Sequence, residues 1–273
     1  MSIAPSGLRV SFKGLKARGN WLDGVSRGVI RGWSAASVRR LRETLFGYSV
    51  PDSVAYGVTL TLPWSDEFCR SDACQPEFLR FVKVFRQRFI RTLPHSALVY
   101  RVELQQRGAP HIHAVLWLAS VDRSNALPSV DDKLLEMWIT SVSDLHGGRL
   151  DHFAKYGIKV NPMDGINKQS LFRYLADHAS KHKQAQLGWK GRQWGIFQKS
   201  NLQPVEISTL APFRDIHQEA VFWRMIRKLT AYRTKADCPF GYKRVRNSRR
   251  LGIIFCPGGA ATVRRCYDFA SRC

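Results

Sequence analysis

Apolar positions along the chain fall into two periods. Residues 54–62 (VAYGVTLTL) are β-branched and aromatic and are closed by Pro63, the signature of a strand. Residues 76–92 (PEFLRFVKVFRQRFIRT) place Phe78, Phe81, Phe85 and Phe89 at helical spacing with Arg and Lys between them. That spacing predicts an amphipathic helix with Pro76 in its first turn. Two further apolar runs, 97–105 (ALVYRVELQ) and 111–118 (HIHAVLWL), flank Arg107-Gly108-Ala109-Pro110 and predict an antiparallel hairpin. Residues 130–145 read as a helix stopped by Gly147-Gly148, and 155–160 as a short strand. Asn167 can cap a helix over about 168–183.

Residues 1–50 show little periodicity and read as an irregular basic lead-in with a short helix near 36–46. The order of elements predicts an α+β sandwich, a central antiparallel sheet flanked by helices. Three parts are expected: the lead-in 1–50, a catalytic domain 51–205, and a basic C-terminal appendage 206–273.

Composition narrows the partner. With 44% apolar residues the 273-residue chain can bury a core, and its formal charge of +22 calls for a polyanion, nucleic acid before an anionic membrane. No apolar run is long enough for a span, and the N-terminus lacks the apolar core of a secretory signal. No membrane partner and a cytoplasmic site in a bacterial host are expected. The six cysteines (69, 74, 238, 256, 266 and 273) form no CxxC pair, which favours plain thiols over structural zinc.

The candidate chemistry lies in the hairpin and in the helix near 174. His111 and His113 alternate with Ile112, so on a strand they share a face roughly 6.5 Å apart. Ile112 is expected to point into the core with Val115 and Trp117. Glu103 on the partner strand can join the histidines if the register brings it to their face, and Gln105 is the substitute. One carboxylate and two imidazoles suit manganese or magnesium, and zinc less. Two ordinary strand histidines are the competing reading. Tyr174, His178 and Lys181 stand at i, i+4 and i+7, on one helix face, and could serve phosphoryl transfer. The competing reading is a plain solvated face. No GxxxxGK[ST] loop occurs, so no nucleotide cofactor is expected. Between 224 and 250 there are ten Lys/Arg and one acid, Asp237. Arg224, Arg227, Lys228, Lys243, Arg244 and Arg246 are candidate phosphate contacts, with Trp223, Tyr232, Phe240 and Tyr242 as stacking or core residues. Arg86, Arg88 and Arg91 carry the same ambiguity.

The motifs together resemble rolling-circle replication initiators of the HUH endonuclease superfamily, over about residues 54–197. The carriers are Val58-Thr59-Leu60-Thr61-Leu62, the pair His111-Ile112-His113 with Ala114-Val115-Leu116, and Tyr174-Leu-Ala-Asp177-His178-Ala-Ser-Lys181. Within the superfamily the stretch from Asp177 through Gly191-Arg192-Gln193-Trp194-Gly195 looks most like proteins of filamentous single-stranded DNA bacteriophages and small plasmids. The inner lysine of the family's tyrosine helix is Asp177 here, and its second tyrosine is His178. The resemblance implies an RRM-like palm and a metal cradle of Glu103, His111 and His113. It implies nicking of single-stranded or origin DNA by Tyr174 through a 5′-phosphotyrosine, leaving a 3′-OH primer. Host helicase and DNA polymerase would do the rest. The same chemistry would serve a transposase or mobilisation relaxase, and a non-catalytic nucleic-acid-binding module is the third reading.

Overall fold

In the computed structural model, residues 1–4, 7–10, 35–62, 64–105, 108–124, 129–142, 157–162, 193–237, 252–255 and 259–273 are described. Their central feature is a five-stranded antiparallel sheet. Its strands are β4 (Ser53–Thr61), β5 (Ala97–Leu104), β6 (Pro110–Ala119), β7 (Ile158–Pro162) and β8 (Trp194–Phe197), in the order β7-β4-β6-β5-β8. Helices cover it, giving the α+β, palm-like arrangement that the pattern predicts.

β6 is the middle strand, and its apolar run is buried on both sides. Even positions Ile112, Ala114, Leu116 and Leu118 face one layer, made by α3 (Cys74–Thr92) and α5 (Val130–Val142). α3 delivers Phe78, Phe81, Phe85 and Phe89 to that layer, where Phe85 meets Trp138 edge-on at 5.2 Å. Each such ring stabilises the fold by about 1.5–3 kcal/mol relative to exposure. Before α3, the short helix α2 (Asp66–Arg70) starts at Ser65, whose hydroxyl accepts from the Phe68 N–H at 3.2 Å. Ser129 caps α5 in the same way, accepting from the Asp132 N–H at 3.0 Å.

Odd positions of β6 face the other layer. There α1 (Ala35–Gly47) packs Leu41, Leu45 and Phe46 over Ala55, Ala97, Val99, Val115 and Trp117. This corrects the expected pairing of Ile112 with Val115 and Trp117: strand parity sends the odd pair to the histidine face and Ile112 away from it.

The hairpin between β5 and β6 closes through Gln105 N–H to Ala109 O (2.9 Å) and Gly108 N–H to Gln105 O (2.9 Å). Gly108 has φ +91, and a Cβ there would also press on the Cys69 carbonyl at 3.4 Å. At the sheet edge, Gly195 lies under the Tyr100 ring, which would sit 2.7 Å from an added Cβ.

The chain ends are joined. β1 (Ser2–Ala4) and β2 (Gly7–Val10) pair with β10 (Ser208–Thr209) and β11 (Gly252–Phe255) in the order β10-β1-β2-β11. The helices α6 (Ile216–Asp237) and α7 (Gly259–Ala270) pack on this sheet through Phe222, Ile226, Val263 and Cys266, around Ile3 and Leu8. The first ten residues, read as irregular, therefore contain two strands, and the basic stretch from 224 begins as helix. Strands of three or four residues are too short to display a period. A further two-residue pair, β3 (Tyr48–Ser49) with β9 (Gln203–Pro204), ties the end of α1 down. The remaining helix, α4 (Ser120–Ser124), follows β6. Among the described residues no helix is long and apolar enough to cross a membrane.

Candidate metal and phosphate site

α1 covers only one end of its sheet face. Beyond it the odd positions turn polar. The register sets Thr61, His111 and Glu103 side by side across β4, β6 and β5. The next row runs Lys159, Thr59, His113, Arg101, Trp194 across all five strands. The register that the hairpin needed to bring Glu103 to the histidines is the one observed.

The two imidazoles meet edge-on with ring centroids 4.2 Å apart. Each has a threonine at Nδ1: Thr61 Oγ1 lies 3.2 Å from His111 Nδ1, and Thr59 Oγ1 lies 3.4 Å from His113 Nδ1. When a threonine oxygen accepts from Nδ1–H, the tautomer is fixed with Nε2 as the basic nitrogen, the form that ligates a metal. Glu103 Oε2 lies 3.7 Å from His113 Nε2, and Glu103 and His113 are buried (7% and 6% exposed).

Arg101 was missed in the sequence. It is fully buried, and its guanidinium donates to Glu103 Oε1 at 2.6 Å. The bond leaves Oε2 as the carboxylate oxygen turned to His113. A charged pair so buried is costly unless it is well satisfied, so its retention on an otherwise apolar strand marks a site rather than a stability device. Its signal in the sequence was parity: Arg101 and Glu103 are the two charged odd positions of ALVYRVEL. Lys159, also missed, is exposed on the edge strand β7 at the end of the second row.

The donor chemistry fits a divalent cation, with one carboxylate oxygen and two imidazoles from adjacent strands and open directions away from the sheet. Among the described residues no three His, Cys, Asp or Glu side chains already stand as a closed ligand set. Tyr174, His178 and Lys181 lie outside the described residues, as do Lys243, Arg244 and Arg246. Arg224, Arg227 and Lys228 are exposed on α6, while Trp223 packs against the core of the end unit. Tyr232, Phe240 and Tyr242 have no described side chains. Cys69 and Cys74 are buried thiols behind the hairpin, and burial followed by the neighbouring Cys69 pushes Cys74 up to about 11. Such a thiol is a poor metal ligand and a poor nucleophile at neutral pH.

Comparison with known proteins points the same way. A protein of Xylella fastidiosa (strain 9a5c), provisionally named a replication protein, is 25% identical over 245 residues, 82% of this chain and 77% of its own length. A second, from Xylella fastidiosa (strain Temecula1 / ATCC 700964) and named likewise, is 26% identical over 180 residues, 62% of this chain and 61% of its own length. No solved structure gives a significant match. Residues 55–183, which carry β4 through β7 and the paired histidines, match the replication-associated protein ORF2 family, and through this segment the chain belongs to that family.

Proposed function

We propose that the protein is a rolling-circle replication initiator that nicks and rejoins one DNA strand, with Tyr174 as nucleophile and Glu103, His111 and His113 as ligands of Mn2+ or Mg2+. The observation that carries this reading is the pair of same-face imidazoles, each with a threonine at Nδ1 and with the Glu103 carboxylate beside them. A bound divalent ion would supply charge neutralisation and polarisation of the scissile phosphate. The chain supplies the rest. Arg101 aims Glu103, and Thr59 and Thr61 orient the imidazoles. Lys159, at the open end of the row, is placed to meet a DNA phosphate. The Tyr174 phenol loses its proton as its oxygen bonds to the 5′ phosphorus, and the P–O3′ bond breaks to release the 3′-OH. His178 and Lys181 serve that proton transfer and the phosphate charge. Rejoining is the reverse attack by a 3′-OH on the phosphotyrosine. Unwinding and synthesis fall to host helicase and polymerase. The nuclease unit is assigned to residues 51–205, and 206–273, tied to the N-terminus by the small sheet, to DNA binding.

The test is mass spectrometry after incubation with single-stranded origin-bearing DNA and Mn2+. A nucleotide adduct on Tyr174, absent in Tyr174→Phe and in His113→Ala, is expected. An adduct that survives in Tyr174→Phe removes the nucleophile from this reading. Adducts at transposon ends in place of the replicon's own origin would move the same chemistry to a transposase.

A further inference from the structure

We propose that the outer face of α3 is a track for duplex DNA, on the side of the sheet opposite the histidine pair. The helix buries Phe78, Phe81, Phe85 and Phe89 and exposes Arg80, Lys83, Arg86, Arg88 and Arg91. Arg80, Lys83 and Arg91 form an outward stripe that spans about 16 Å of helix axis, with Arg86 and Arg88 at its flanks. The acid of the helix, Glu77, is taken up by Arg80 at 2.7 Å.

General basicity does not account for this stripe. The helices on either side carry acids outward: Asp66 and Glu67 on α2, and Asp131, Asp132 and Glu136 on α5. The cations are thus concentrated on one ridge between acidic shoulders, an arrangement that confines a phosphate backbone to the ridge. Like charges three apart, Arg80 with Lys83, Lys83 with Arg86 and Arg88 with Arg91, repel in the isolated helix. A polyanion along the ridge relieves that repulsion and releases counterions. At the C-terminal end the ridge opens into a groove between α3 and α5, lined by Arg88, Arg91 and Lys133 with the Thr92 and Thr140 side chains and Glu136. Cations and hydroxyls together suit a phosphate oxygen.

The inference rests on DNA as ligand, as the proposed function does, and not on the cleavage chemistry. Its test omits the metal. Binding of the full chain to a labelled duplex lacking any nicking site is measured in EDTA against salt, for the wild type and for a variant combining Lys83→Gln, Arg86→Gln and Arg91→Gln. These side chains are exposed, so the fold is retained, and a melting curve checks it. The expected result is a fall of about 2–3 in the slope of log affinity against log salt. Binding to a short single strand, and adduct formation on it with Mn2+, should stay unchanged. A charge-matched variant on and just after α7, Arg264→Gln with Arg265→Gln and Arg272→Gln, should affect the duplex less. An unchanged duplex slope overturns the proposal. So does an equal loss in the two triple variants, or a loss confined to the single strand.

Discussion

The two faces of the five-stranded sheet are built from the same strands and do opposite things. On the α3/α5 face every even position of β6 is apolar, and aromatic rings from both helices fill the layer. On the α1 face the odd positions are apolar only from Val115 onward. Before that point they are His111 and His113, flanked by Thr59, Thr61, Arg101 and Glu103. One helix shorter than the sheet leaves room for polar groups, and the other face, closed by two helices, gives them a rigid floor. Strand alternation alone converts one hairpin into a core on one side and a site on the other. The faces touch at one point, where the Trp138 indole N–H donates to the Thr61 carbonyl at 3.0 Å.

The largest effect separates the faces by stability. Phe85 is fully buried against Trp138, Phe89 and Phe197. Phe85→Ala should cost about 3–5 kcal/mol in denaturant unfolding. Manganese affinity, measured calorimetrically at low temperature where the variant is folded, should stay within a factor of about three. A tenfold loss of affinity would mean that the cavity reaches the site through Trp138 and Thr61, and that the faces are coupled.

The polar face should respond in the reverse sense. Arg101→Met leaves the buried Glu103 carboxylate without its cation and should cost about 3 kcal/mol. Adding Glu103→Leu to that variant should return most of the lost stability while abolishing metal binding. A double variant no more stable than Arg101→Met would show that the pair contributes to the fold as such. The contrast with Phe85 then blurs.

The long elements were legible because they are periodic. The Phe spacing of α3 and the apolar runs of β5 and β6 each repeat often enough to show, and they fall within two residues of the observed bounds. β1, β2 and β8 are three or four residues long and owe their existence to partners far away in the chain, so no local pattern announces them. The site divides similarly. Parity alone puts His111 and His113 on one face. Which residue of another strand stands beside each is a matter of register, and register puts Glu103 against His111 and Arg101 against His113. A lone arginine in a strand reads as an outward charge until its row is known. The placement of Ile112 with Val115 and Trp117 failed because apolarity was followed in place of parity.

The smallest predicted effect asks whether the threonines belong to the polar face's function or only to its strand. Valine matches threonine in shape and suits a strand at least as well, so Thr61→Val should leave unfolding within about 0.5 kcal/mol. It removes the hydroxyl 3.2 Å from His111 Nδ1, the group that holds the imidazole in one tautomer and orientation. Partners of this kind are worth about 10–100-fold in metal affinity, and a loss in that range is expected in manganese titrations followed by electron paramagnetic resonance. Thr59→Val, whose contact with His113 is longer at 3.4 Å, should lose less, and Thr61→Ser should recover most of the affinity. If Thr61→Val instead binds manganese like the wild type while losing stability, the hydroxyl row is structural. The two faces would then differ in polarity but not in purpose.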